Sequence, residues 1–131
     1  MDIKSRFETD ETMETLGIPI KMDDKTTLYI ARWGNPRYQA MFQELTRPYR
    51  SAIEAGTIDE GLSRQLMTKV IAHTVLVGWD NLQEDGEEVI YSHQEAERIL
   101  TQYKDFRSYV IRVASDMENF KAHKDEVTEK N

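Results

Sequence analysis

The stretch Thr74-Val75-Leu76-Val77-Gly78-Trp79-Asp80-Asn81 decides how the chain is read, together with the helix before it and the acidic run Glu84-Asp85-Gly86-Glu87-Glu88-Val89-Ile90-Tyr91-Ser92 after it. Leu62, Leu66, Val70, His73 and Val77 recur at helical spacing, and Met67, Ile71 and Thr74 widen the stripe. So broad an apolar stripe needs cover from other helices, which makes this the expected central helix. Gly78 stands where the periodicity stops, the place of a left-handed C-terminal cap. Trp79 then turns inward or towards a partner, as a core or interface anchor.

Upstream, Thr57-Ile58-Asp59-Glu60 has the spacing of a capping box, Thr57 to Glu60, and is the expected start of that helix. Asn35-Pro36 starts an earlier one, an N-cap side chain followed by proline at the first helical position. Tyr38, Met41, Phe42 and Leu45 form its apolar face, and Pro48 is expected to interrupt it near Thr46. Before Asn35, the alternating runs Ile18–Met22 and Thr27–Trp33 flank the polar turn Asp23-Asp24-Lys25 and read as a β-hairpin. Pro19 cannot donate to a ladder, so its strand belongs at an edge. Residues 1–16 are polar and acidic and are expected to be a mobile arm with a helical turn at Glu11–Leu16.

Downstream, Ser92-His93-Gln94-Glu95 is a second capping box, opening a short helix with Ala96, Ile99 and Leu100 on its apolar face. Phe106, Val110, Val113, Met117 and Phe120 mark the buried stripe of a last helix. The sequence therefore predicts one mainly α domain, a compact bundle of four to five helices with a small N-terminal β-hairpin. Its parts are the arm (1–16), the hairpin (17–33), the helical core (35–120) and a disordered tail (121–131).

Composition narrows the function. At 131 residues the chain is long enough for a sizeable core. Its net charge of −7 repels nucleic-acid phosphates, which argues against a nucleic-acid partner. No apolar run approaches the ~20 residues a membrane-spanning helix needs. Met1 to Glu8 lacks the hydrophobic segment of a secretory signal. Without cysteine there are no disulfides, no thiolate chemistry and no cysteine-ligated metal.

Catalytic and metal motifs are not found. His73, His93 and His123 fit no ligand spacing, and His73 is expected to be a hydrogen-bonded core histidine. The window Asp80–Tyr91 has the length of a calcium loop but not its residues. Leu82 holds the third site, Asp85 the sixth, where glycine belongs, and Tyr91 the twelfth, where glutamate belongs. No serine lies in a strand–glycine elbow, and no glycine cluster cradles a phosphate. No enzyme activity and no cofactor are expected.

One charge asymmetry remains. Arg32, Arg37, Arg47 and Arg50 cluster in a basic span, and Asp80, Glu84, Asp85, Glu87 and Glu88 form an acidic loop without a base. The expectation is that they meet, within or between subunits, with Ile18, Ile20 and Tyr29 of the hairpin supplying apolar contact for self-association.

Asn35-Pro36-x-Tyr38, the aliphatic run Val75 to Gly78 with Trp79-Asp80, Asp85-Gly86 and Ile90-Tyr91-Ser92, in this order, resemble the tail assembly chaperones of long-tailed bacteriophages. The resemblance spans Gly17 to Phe120. It implies a non-enzymatic protein of the host cytoplasm, absent from the finished virion. Such a protein binds and solubilises the helical tape measure protein, oligomerises as a ring or helix, and hands over to the tail tube protein. The competing expectations are a structural tail or head–tail connector component retained in the virion, and a small enzyme without a recognisable motif.

Overall fold

The computed structural model describes residues 1–122. Helices α1 (Ile3–Phe7) and α2 (Glu11–Leu16) lead into strands β1 (Ile18–Lys21) and β2 (Thr27–Ile30). There follow α3 (Pro36–Thr46), a 3-10 turn (Arg47–Tyr49), α4 (Arg50–Ala55) and the long α5 (Glu60–Thr74). Strand β3 (Leu76–Asp80) comes next, then the small strands β4 (Gln83–Glu84) and β5 (Glu87–Glu88). The chain continues as α6 (His93–Gln102), α7 (Lys104–Ser115) and a 3-10 turn (Met117–Phe120).

This is a mixed α/β fold, which overturns the expected mainly α bundle with a single hairpin. The hairpin forms, in the register Ile18↔Ile30 to Lys21↔Thr27. It is not alone: β3 pairs antiparallel with the other side of β2, giving a three-stranded sheet of order β1-β2-β3. A second, two-stranded sheet joins β4 and β5. The error lies at Val75–Val77, read as the last turn of the central helix with Gly78 as its cap and Trp79 beyond it. Valine, leucine and tryptophan suit a pleated strand at least as well, and the free edge of β2 supplies backbone partners that helical periodicity does not register.

Gly78 is therefore no cap. It sits in β3 opposite Tyr29, and a β-carbon there would lie 3.4 Å from Tyr29 Cδ2, so the ring lies against bare backbone. The helix ends earlier, at Val75, whose N–H still donates to the Ile71 carbonyl at 2.9 Å. Its start differs too. Asp59, not Thr57, is the N-cap, and its carboxylate accepts from the Leu62 N–H at 2.9 Å. Thr57 instead follows Gly56, which closes α4 in the left-handed conformation. At α3 the Asn35-Pro36 start is as read, with Asn35 accepting from the N–H groups of Arg37 and Tyr38. Ser92 caps α6 by accepting from the Glu95 N–H at 3.0 Å.

The core gathers where α5 packs on α6 and α3 and the sheet closes over them. Leu28 and Ile30 from β2, Ile71 and Val75 around the end of α5, Leu76, Leu100 and Val110 are fully buried. Leu62 and Leu66, nearer the start of α5, are only half-buried, so the stripe works in its C-terminal half. Phe120 is fully buried in the closing 3-10 turn rather than on a continuous last helix.

Residues 1–16 carry α1 and α2 and make tertiary hydrogen bonds. Asp10 N–H donates to the Phe120 carbonyl at 2.9 Å, Ala122 N–H donates to the Glu8 carbonyl at 3.1 Å, and Thr9 bridges Lys121. Of the expected tail, residues 123–131, with His123, lie outside the described residues.

Candidate interaction surface

Three of the residues that carry the resemblance, Asn35, Trp79 and Tyr91, lie around one junction, the turn from α5 into β3, whereas Asp85 and Gly86 form the β4–β5 turn and Ile90 is exposed. Asn35 donates from Nδ2 to the carbonyls of Arg32, at 2.7 Å, and Thr74, at 3.0 Å, while its Oδ1 caps α3. Its side chain thus ties the start of one helix to the end of another. Trp79 is 6% exposed, and its indole N–H donates to the Val89 carbonyl at 2.7 Å. Tyr91 meets Trp79 edge-on at 4.8 Å between ring centroids. The Tyr91 hydroxyl donates towards the Leu76 carbonyl at 2.8 Å, with the Ala72 carbonyl at 3.2 Å. Burial pushes that phenol up to about 12, with the Arg37 charge opposing, so it stays a donor at neutral pH. These side chains satisfy backbone carbonyls at the end of α5, at the first residue of β3 and in the connecting segments.

Four of the nine charged residues expected to meet are held by other partners within the chain. Arg32 pairs with Glu14, and Arg47 with Glu44 at 2.9 Å. Asp80 accepts from the Tyr29 hydroxyl. Glu84 is held by Arg98, at 2.9 Å, and by the Tyr103 hydroxyl, and both keep its carboxyl below the usual range. Among the described residues no ion pair joins the basic span to the acidic loop. Arg37 and Arg50 are exposed, as are Asp85, Glu87 and Glu88. Of the apolar candidates, Ile18 is buried, whereas Ile20 and Tyr29 are half-buried.

Two features escaped the sequence. The first is a groove of about 830 Å³ between the β4–β5 hairpin and the elbow joining α6 to α7. Leu82, Ile99 and Phe106 contribute its apolar lining, and Tyr103 is 41% exposed beside them. A second concavity, reaching the β1–β2 turn at Met22 to Thr26, shares Leu82, Gln83 and Phe106 with it, so the two adjoin at those side chains as a surface channel in two parts. The second feature is a pair of parallel imidazoles, His73 and His93, with ring centroids 4.2 Å apart and planes 6° from parallel. His73 Nε2 lies 3.8 Å from Glu97 Oε2. Arg37, Glu44 and both histidines line a shallow cleft. Sequence separation hides both features, because each joins segments that only the fold brings together.

No helix among the described residues is long and apolar enough to cross a membrane. No curated protein and no solved structure matched the chain. A family model described as YdaY prophage protein matches residues 33–131, from Trp33 just after β2 onward and including the whole α5–β3 junction. The match covers well over half of the chain, which therefore belongs to the YdaY prophage protein family and is of phage origin.

Proposed function

We propose that the protein is a tail assembly chaperone. In this reading it is a non-enzymatic factor of the host cytoplasm that oligomerises on the tape measure protein, keeps it soluble, and leaves before the virion is complete. Phage origin supports the setting. The observation that carries the reading is that Asn35 and Tyr91 bond to carbonyls on either side of the α5–β3 turn, while Trp79 packs edge-on against Tyr91. These three residues of the chaperone-like pattern are then interlocking parts of one structural unit. They hold the fold and leave the outer surfaces for partners.

Co-expression with the tape measure protein of the same phage tests this. The expected result is a soluble complex in which the tape measure protein precipitates if the present chain is withheld. Mass spectrometry of purified virions should find no stoichiometric copy. A tape measure protein equally soluble without it would sink the proposal. Stoichiometric retention in virions would favour a structural tail component instead.

A further inference from the structure

We infer that the channel running from the β1–β2 turn, past Leu82 and Phe106, to Tyr103 is the docking site for a basic amphipathic helical segment of the client. This inference rests on the chaperone reading for the client's identity only. Two independent properties of the channel argue for the occupant's chemistry. Its apolar surface is not closed over: Met22 at one end is 43% exposed and Tyr103 at the other 41%, with Leu82 and Phe106 half-buried between them. That spread of apolar side chains suits a helix laying its apolar face along a groove, anchored at successive turns.

The charge is one-sided. Asp23, Asp24, Glu84, Asp85 and Asp105 line the channel against Lys25 and Lys104. Glu84 is already engaged by Arg98, but Asp24, Asp85 and Asp105 are exposed. Asp23 accepts from the N–H groups of Lys25 and Thr26, at 2.9 and 2.7 Å, which holds its carboxyl below the usual range and keeps it ionised. An acidic rim around an apolar lining selects a partner with lysine or arginine flanking its apolar stripe and repels an acidic one. A second copy of this chain, with its net charge of −7, is the poorer match.

The test uses the full chain and two synthetic helical peptides of identical leucine pattern, one with lysine and one with glutamate at the polar positions. Binding is read by fluorescence anisotropy and by backbone amide NMR. The lysine peptide should bind, shifting amides at Leu82–Asp85 and Gln102–Phe106, and weaken as salt is added. The glutamate peptide should not bind. Asp24→Lys with Asp105→Lys, both on exposed side chains, should lower affinity for the lysine peptide at least about tenfold. Met22→Ser should lower it independently of salt. Circular dichroism checks that each variant folds. Equal affinity for both peptides, no binding of either, or unchanged affinity in the charge-reversed variant would overturn the inference. So would loss of self-association, rather than of peptide binding, in that variant, because the occupant would then be a second copy. A tape measure complex that survives failure of the peptide test would remove the channel from the account and leave the chaperone reading standing.

Discussion

The indole N–H of Trp79 donates to the carbonyl oxygen of Val89 at 2.7 Å, joining β3 to the segment that leads into α6. The indole is almost fully buried and Val89 half-buried, so the bond is worth more as a satisfied pair than as an attraction. Replacing Trp79 with phenylalanine keeps much of the ring's packing but strands the Val89 carbonyl. The expected cost is about 1–3 kcal/mol in urea unfolding. Trp79→Ala should cost about 3–5 kcal/mol. Native fluorescence should be blue-shifted relative to the unfolded chain. A loss below about 0.5 kcal/mol for the alanine variant would place the indole outside the core.

Gly17 is a second point of constraint. Its φ of +97° lies in the region where side chains are strained, and a β-carbon there would sit 2.8 Å from Val77 Cγ2. Gly17→Ala should therefore destabilise by more than about 1 kcal/mol. Part of that cost is steric, so combining it with Val77→Ala should give a loss smaller than the sum of the two single changes. Strict additivity in thermal unfolding would mean that the two residues do not touch.

Much of this was legible one residue at a time and illegible in pairs. Asn35-Pro36 and Ser92 announce their helices because capping chemistry is local. Val75 to Trp79 fits a helix by period and a strand by composition, and what decides between them is the unpaired edge of β2, some fifty residues earlier. Thr57 matched the capping-box spacing, yet Asp59 stands closer to the helix and accepts from Leu62, so a local pattern lost to a nearer competitor. The basic span and the acidic loop were visible as charges. That Glu84 belongs to Arg98 and Arg32 to Glu14 was not, because those partners lie on other elements.

The stacked His73 and His93 give stability a pH dependence. Burial first, then the neighbouring His93 and Lys69 charges, hold His73 below its ordinary 6.5, with Glu97 opposing. Arg37 and Glu44, from α3, line the same cleft. With the folded-state value depressed, the unfolded chain binds the proton more readily. The contribution is thus complete above the unfolded value and is lost as pH falls through the folded one. The urea midpoint should be flat above about pH 7.5 and fall below about pH 6. His93→Gln should flatten part of that decline by removing one of the two charges. An unchanged slope in this variant would exclude the pair as its source.

Self-association is the last expectation, and the structure sharpens its terms. Glu87 and Glu88 are exposed on β5 and do not line the apolar channel, so a contact through them leaves that channel open. Arg50 is exposed as well, and among the described residues Arg47 pairs with the equally exposed Glu44. A contact between these two different patches is head-to-tail and propagates as a ring or an open helix, either of which can surround a rod-like client. With Ile18 buried and Ile20 and Tyr29 half-buried, the hairpin has less apolar surface to contribute than its composition suggests. The net charge of −7 adds a general repulsion. Affinity per contact should therefore be low and dominated by the paired charges. Sedimentation should show assembly only at high concentration for the wild type, and less of it for Arg47→Glu with Arg50→Glu. Mixing that variant with Glu87→Lys and Glu88→Lys protein should restore heterotypic contact, since each supplies the charge the other lost. A wild type monomeric at every concentration, or a basic-patch variant that assembles as well as wild type, would place the oligomer interface elsewhere.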